Sequence, residues 1–280
     1  MSVATDKSTL KKRLDRFIWD SPRPRSVALR RALREDFMTL GRTAVIGGMV
    51  RDFAHRGRSG FGSDVDLVID AAPEAVDSFA REKRAEPNRF GGFSLTAGTW
   101  KIDFWALRTT WGSRQGHASV DSLEDVTKCT FFDCDAVIYD LEARRVFCRD
   151  DYLDRMRNGV IEINLLPNPS INGNLIRAIR RMLLWDFEAG PRLSEFITEH
   201  LDEDRFERIA DVDRKLYAGA LIARSQSAAN LKKVLLGKDE RRGLATFYAT
   251  QLPLPGVSEQ GTRPRPRGVN QVDSLLTSET

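Results

Sequence analysis

The sequence predicts a protein of mixed helices and strands, of the α+β or α/β class, whose second half is helical. Two observations predict this architecture. Over about the first 150 residues, short runs rich in β-branched residues alternate with stretches of helical periodicity. From Asn172 onward the apolar residues recur at helical spacing. The 280 residues are enough for one large domain or two of ordinary size, and the change in pattern favours two.

The first half begins with two helices. Apolar residues at helical spacing predict them over Leu10–Ile18 and Leu29–Leu40, and Gly41 is a natural stop for the second. Further predicted helices are Met49–His55 and Pro73–Arg84, and the predicted strands are Thr43–Ile46, Asp64–Ile69, Gly92–Thr96, Trp100–Leu107, Ala136–Tyr139, Arg145–Cys148 and Val160–Ile163.

The second half carries one clear apolar stripe. It runs from Leu175 to Leu183, and Gly190-Pro191 predicts the end of its helix. Further helices are predicted over 196–201, 206–223 and 231–248. The last thirty residues lack an apolar period and contain the run RPRPR, so they predict a flexible basic tail.

Composition narrows the class of protein. Apolar residues make up 41% and charged residues 30%, as in ordinary globular chains. No apolar run approaches the roughly 20 residues that span a bilayer, and the N-terminus has no leader pattern, so we expect a cytoplasmic protein without a membrane partner. Three cysteines without a C-x-x-C pair argue against a disulfide framework and a zinc ribbon. Clustered arginines indicate a polyanionic partner, or alternatively a solvated basic face.

Two aspartates alternate on one predicted strand. Asp64 and Asp66 would share a face, with Cα atoms about 6 to 7 Å apart, while Val65, Leu67 and Ile69 face a core. Adjacent carboxylates repel unless a cation lies between them, and oxygen ligands suit Mg²⁺ or Mn²⁺. A lone D-x-D is also typical of a solvated strand edge, so the pair alone leaves both interpretations open.

A third aspartate and a glycine pair extend the pattern. Asp103 lies on a later strand, on the face that it shares with Lys101 and Trp105. Three carboxylates can hold two ions about 3.5 to 4 Å apart. Gly47-Gly48 would let a triphosphate approach the N-terminus of the next helix, although a Gly-Gly pair is also an ordinary turn. The order of these features along the chain favours a site.

These segments resemble a known family. G-G-M-V-R-D (Gly47–Asp52), followed by S-D-V-D-L-V (Ser63–Val68), is similar to the head domain of the DNA-polymerase-β-like nucleotidyltransferases, closest to bacterial CCA-adding enzymes and poly(A) polymerases. The resemblance is specific over residues 43–70. It implies an α+β fold with a small mixed sheet backed by helices, and transfer of a nucleoside monophosphate from an NTP to a hydroxyl. The implied organisation is a head domain at 1–150, a helical neck and body at 151–250, and the basic tail at 251–280.

The resemblance also implies roles for single residues. Asp64, Asp66 and Asp103 would be the catalytic carboxylates and the ligands of Mg²⁺ or Mn²⁺. The implied nucleotide-binding residues are Gly47, Gly48, Arg51, Ser63, Arg177 and Arg180. For Arg51 a second interpretation stays open, in which it forms a buried pair with Asp52 and braces its helix.

Two family motifs are altered. Where the family carries R-R-D-F-T-x-N-A, residues 129–136 read CTFFDCDA, without the arginines. Where it carries the base-selecting E-D-x-x-R, residues 170–174 read SINGN, without the acids or the arginine. The resemblance therefore predicts the reaction type but not the base. RNA is the expected acceptor, on the basic helices and tail; a protein or small-molecule acceptor, or an inactive binding protein with the same fold, is the alternative.

Overall fold

The fold is taken from a computed structural model, which describes residues 2–88, 90–167, 169–217 and 220–237. The basic tail predicted at 251–280 and the end of the helix predicted at 231–248 lie outside these residues. The chain divides into two compact units. The first comprises the residues up to Arg157 together with Asn164–Pro167, and the second contains Asn158–Ile163 and the helices that follow.

A seven-stranded mixed sheet forms the centre of the first unit, which confirms the predicted α+β class. Its strand order is β3-β4-β5-β2-β1-β6-β7. The strands are β1 (Arg42–Ile46), β2 (Val65–Asp70), β3 (Glu86–Pro87), β4 (Phe93–Ala97), β5 (Trp100–Ala106), β6 (Val137–Asp140) and β7 (Arg145–Cys148). β2 and β5 pair in parallel, and all other neighbours are antiparallel. The antiparallel β6–β7 pair confirms the predicted hairpin.

Helices cover one face of this sheet. They are α1 (Lys7–Asp15), α2 (Pro24–Ala32), α3 (Gly48–His55), α4 (Pro73–Glu82) and α6 (Tyr152–Arg157), whereas the short α5 (Trp111–Arg114) packs against Cys129 on the opposite face. Val65, Leu67 and Ile69 of β2 are fully buried, as the alternation predicts. On the same face of β5, Phe104 packs edge-on against Phe37, with ring centroids 5.2 Å apart. This packing fixes which side chains of β2 and β5 face the other way.

The opposite face is only partly apolar. Val68 of β2 packs in a buried cluster with Leu123 and Val126 from a 3₁₀ segment, Leu123–Cys129, that the sequence did not predict. Asp66 lies two residues before Val68 and therefore on the same face, one step beyond that cluster. The cluster thus closes one end of this face, and the carboxylates lie beyond it.

The second unit is mainly helical, as predicted. Its elements are β8 (Val160–Ile161), α7 (Ile171–Trp185), β9 (Glu188–Ala189), α8 (Pro191–His200), α9 (Glu203–Leu216) and α10 (Ala228–Leu236). β8 does not join the large sheet but pairs in parallel with β9. The stripe from Leu175 to Leu183 is buried along α7. Within the described residues, no helix combines the length and the apolar character needed to cross a membrane.

The end of α7 differs from the prediction. The helix ends before Asp186, whose backbone is left-handed at φ 57°, and not near Gly190-Pro191. Gly190 instead caps α8, with Pro191 at its first position, where proline needs no amide hydrogen. The Gly-Pro signal therefore marks the start of the next helix.

Candidate active site

Three carboxylates meet at the junction of β2 and β5. Asp66 and Asp103 are register partners on these parallel strands, and Asp64 directly precedes β2. Asp103 is fully buried, whereas the Asp64 side chain is 20% exposed. The structure therefore brings together the three aspartates that the sequence singled out, because the parallel pairing aligns their alternating faces.

A lysine bridges two of these carboxylates. Nζ of Lys101 is 3.4 Å from Oδ2 of Asp64 and 3.4 Å from Oδ2 of Asp103. The other carboxylate oxygen of Asp103, Oδ1, accepts a hydrogen bond from the hydroxyl of Ser94 on β4. Sequence reasoning placed Lys101 on this face but gave it no role, and it missed Ser94. The signal for Ser94 is its register pairing with Asp103, which only the folded sheet reveals.

The surroundings of Asp66 and Asp103 disfavour the charged form of both carboxylates. Burial, followed by the charges of Asp103 and Asp64, raises the pKa of Asp66 well above its usual value. Burial likewise raises the pKa of Asp103, although the bonds from Ser94 and Lys101 act in the opposite direction. Burial acts to lower the pKa of Lys101, but Asp103 and Asp64 outweigh it, so that this pKa is raised. The three carboxylates of the cluster therefore outnumber the single ammonium that lies among them.

A glycine turn lies before α3, next to Ser63. Gly47 has φ 65°, a backbone conformation that favours glycine, and it caps the helix. A Cβ on Gly48 would stand 2.9 Å from both Cβ and Oγ of Ser63. That Ser63 hydroxyl is buried and has no hydrogen-bond partner within the described part of the chain. The Ser63 hydroxyl and the backbone amides at the N-terminus of α3 could therefore donate hydrogen bonds to the same ligand.

Arg51 takes part in buried ion pairs. Its side chain, 7% exposed, donates to Oδ1 of Asp52 at 2.7 Å and to Oδ1 of Asp135 at 2.5 Å. Burial opposes the charge of Arg51, but these two carboxylates outweigh it and raise its pKa. Asp52 also accepts from the amide of Gly62, close to Ser63. These contacts fit the bracing interpretation of Arg51, while its role in nucleotide binding stays a prediction.

The two arginines of α7 belong to the second unit. Nη2 of Arg177 donates to Oδ1 of Asn174 at 2.6 Å. Nη1 of Arg180 lies 2.6 Å from Oδ1 of the buried Asp213, and its guanidinium stacks 3.7 Å from the ring centroid of Tyr217. Arg180 therefore packs tightly within its own unit. The nucleotide-binding role of both residues stays a prediction.

The donor set of the carboxylate cluster suits a hard divalent cation. Asp64, Asp66 and Asp103 supply only carboxylate oxygens, the ligands that Mg²⁺ and Mn²⁺ prefer. As the side chains stand, no group of three or more His, Cys, Asp or Glu in the described chain is arranged to hold a metal ion. The ammonium of Lys101 lies between two of the three candidates. The three carboxylates therefore fit a divalent cation chemically, but that cation would have to take the place of the Lys101 ammonium at Asp64 or Asp103.

Comparison with known proteins reveals similarity at the level of the fold. No protein-family model matches the chain, and no curated protein matches it significantly. Among solved structures, the Thermotoga maritima CCA-adding enzyme complexed with tRNA matches with a TM-score of 0.53 at 20% identity, over 84% of this chain and 56% of that one. The Bacillus stearothermophilus CCA-adding enzyme in complex with CTP matches with a TM-score of 0.48 at 18% identity, over 80% and 57%.

The Thermotoga match confirms the fold that the resemblance implied. It extends well beyond residues 43–70, since it covers 84% of the chain. The chain spans a little over half the length of these solved proteins.

Proposed function

We propose that this protein is a divalent-metal-dependent nucleotidyltransferase that moves a nucleoside monophosphate from an NTP to a hydroxyl of RNA. The observation that carries the proposal is the convergence of Asp64, Asp66 and Asp103 on one face of β2 and β5. Two carboxylates whose pKa is raised by burial and by neighbouring negative charge, as at Asp66 and Asp103, are unfavourable in a purely structural role. Binding of divalent cations for a reaction would offset the repulsion among these carboxylates.

The reaction is a single displacement at phosphorus. The acceptor oxygen forms a bond to the α-phosphorus, the bond from that phosphorus to the bridging oxygen breaks, and pyrophosphate leaves with the bonding electrons. The acceptor proton passes to solvent. Divalent cations on Asp64, Asp66 and Asp103, two of them in the mechanism that we propose, would supply charge to stabilise the nucleophile and the leaving pyrophosphate.

The glycine turn supports binding of the triphosphate. The Gly47-Gly48 backbone carries no side chain that would block an approaching phosphate, and the N-terminus of α3 favours negative charge. The buried hydroxyl of Ser63 supplies a donor that a phosphate oxygen would satisfy. Gly48, packed against Ser63, holds that hydroxyl at the helix N-terminus.

RNA is the proposed acceptor for two reasons. The chain has 44 Lys and Arg against 40 Asp and Glu, and arginines are clustered at positions 263, 265 and 267. A protein of similar fold was solved with tRNA bound. A protein or a small hydroxyl compound is the alternative acceptor.

The decisive experiment is acceptor-dependent labelling. The protein is incubated with each α-labelled NTP and total RNA, in Mg²⁺ or Mn²⁺, with the Asp64→Ala protein as control. We expect label in RNA with the wild type only. Label in added protein or in small hydroxyl compounds instead would change the acceptor. No transfer to any of these would reject the enzyme and favour a binding protein with this fold.

A further inference from the structure

Lys101 lies within the carboxylate cluster without any role in the reaction described above. Its flanking residues, Trp100 and Ile102, are buried on the opposite face of β5. The indole of Trp100 donates to the backbone oxygen of Arg25 at 2.8 Å, which anchors this end of the strand. Strand geometry therefore directs the Lys101 side chain onto the carboxylate face.

On that face the ammonium contacts two carboxylates from different positions of the sheet. Nζ is 3.4 Å from Oδ2 of Asp64 and equally far from Oδ2 of Asp103. Asp103 is fully buried, and its partner Asp66 adds a third carboxylate at the same point of the sheet. One ammonium cannot balance three carboxylates, but it can hold two of them in place.

We propose that Lys101 is a built-in counter-cation that holds Asp64 and Asp103 together in the metal-free protein and competes with the divalent cation for them. Metal binding then requires the ammonium to leave at least one of these carboxylates. The lysine stem is flexible and its ammonium is strongly hydrated, so it can withdraw towards solvent when a cation with higher charge arrives. The site is thus ordered before the cation binds, at the expense of affinity.

This inference rests on the proposed function only in taking the three carboxylates as cation ligands. Its test needs no nucleotide transfer. Binding of Mn²⁺ is measured by titration calorimetry, and thermal unfolding is measured in EDTA, for the wild type and for Lys101→Met. We expect the variant to bind Mn²⁺ at least about tenfold more tightly, because the competing charge is gone. We also expect it to melt at a lower temperature in EDTA, because the carboxylates then repel one another without compensation.

A second lysine provides a matched control. Lys83 also contacts two carboxylates, Oδ1 of Asp36 at 2.8 Å and Oε1 of Glu82 at 3.8 Å. Its side chain is 35% exposed, against 34% for Lys101. We expect Lys83→Met to leave Mn²⁺ affinity unchanged. Measured against Asp103→Asn alone, in which the ammonium keeps only one of its two charged partners, Lys101→Met should give a smaller gain in affinity, which locates that gain at this cluster.

The outcomes separate the two proposals. Equal or weaker Mn²⁺ binding by Lys101→Met, a gain that is undiminished in the Asp103→Asn background, or no Mn²⁺ binding by either protein would overturn the role of Lys101. Tighter binding without any nucleotide transfer would uphold it and reject the proposed function. If Lys101→Met does not fold, Lys101→Gln, which also removes the charge but keeps a donor, takes its place with the same expectations.

Discussion

Gly48 and Ser63 are packed so closely that a Cβ on Gly48 would stand 2.9 Å from both Cβ and Oγ of the serine. The two residues come from different elements, the start of α3 and the loop before β2. Their contact places a buried hydroxyl, without a partner in the described structure, beside the N-terminus of a helix. A methyl group at Gly48 would have to displace Ser63 or tilt the helix.

Gly48→Ala should therefore weaken nucleotide binding. We expect NTP affinity to fall at least about tenfold, because the Ser63 donor moves away from the phosphate position, corresponding to about 1.4 kcal/mol. Equilibrium binding of a fluorescent NTP measures this effect. Gly62→Ala is the control, since a Cβ on Gly62 would meet nothing within 4 Å. Equal NTP affinity of Gly48→Ala and Gly62→Ala would show that the Gly48–Ser63 contact plays no part in nucleotide binding.

Ser63→Ala removes the hydroxyl without adding bulk. Because this buried donor finds no partner in the described structure, we expect the variant to be as stable as the wild type or slightly more stable. NTP affinity should fall about tenfold, through loss of a hydrogen bond to a charged phosphate. Ser26 of α2 also has a buried hydroxyl without a partner there. Ser26→Ala should show the same stability change with unaltered NTP affinity, and a parallel loss of affinity would discredit the role of Ser63.

Asp66→Asn tests the carboxylate cluster. We expect transfer to fall to background, because a cation ligand is lost, and the metal-free protein to melt a few degrees higher, because a charge disfavoured by burial and by two like charges is removed. Product labelling and thermal unfolding in EDTA measure the two effects. Asp70→Asn changes an exposed carboxylate of the same strand and should change neither. Wild-type transfer by Asp66→Asn would refute its assignment as a ligand.

The alternation along β2 and β5 could be predicted from the sequence because strand periodicity depends only on local backbone geometry. It correctly separates Val65, Leu67 and Ile69 from the two aspartates. Which strands become neighbours depends on the whole sheet. The alternation could therefore offer Asp103 as a third carboxylate, but its register pairing with Asp66 is seen only in the folded sheet.

The alternation places Lys101 on the face of Asp103, but the contact of Lys101 with Asp64 and that of Ser94 with Asp103 could not be predicted. Both follow from the register of β4, β5 and β2, in which Ser94 faces Asp103 and Lys101 lies next to Asp64. Register is fixed by the burial of the opposite face, where Phe104 packs against helices that are distant in sequence. No local signal encodes that arrangement.

Arg51→Met should destabilise the protein by about 3 kcal/mol, because it leaves the buried carboxylate of Asp52 and the partly buried carboxylate of Asp135 without their cation. Chemical denaturation measures the free energy of unfolding. Arg155→Met breaks a more exposed pair with Asp133 and should cost less, about 1 kcal/mol. Equal stability of Arg51→Met and the wild type would contradict the bracing role and favour direct contact with the nucleotide.

His55 makes stability depend on pH. Burial, reinforced by the positive charge of Arg56, lowers its pKa to about 4 from an ordinary value of 6.5. The unfolded chain therefore binds a proton between these values while the folded protein does not. The stability that neutral His55 contributes is complete above pH 6.5 and is lost as the pH falls towards 4, by up to about 3 kcal/mol.

His55→Gln should flatten this part of the stability curve, because glutamine does not titrate. Denaturant unfolding at a series of pH values from 7 to 4 gives the free energy of unfolding for each protein. His117→Gln is the control. Because His117 is exposed, we expect unfolding of the His117→Gln protein to keep the wild-type pH dependence. If the free energy of unfolding of His55→Gln falls between pH 7 and pH 4 as steeply as that of the wild type, carboxylates rather than His55 cause the loss of stability in acid.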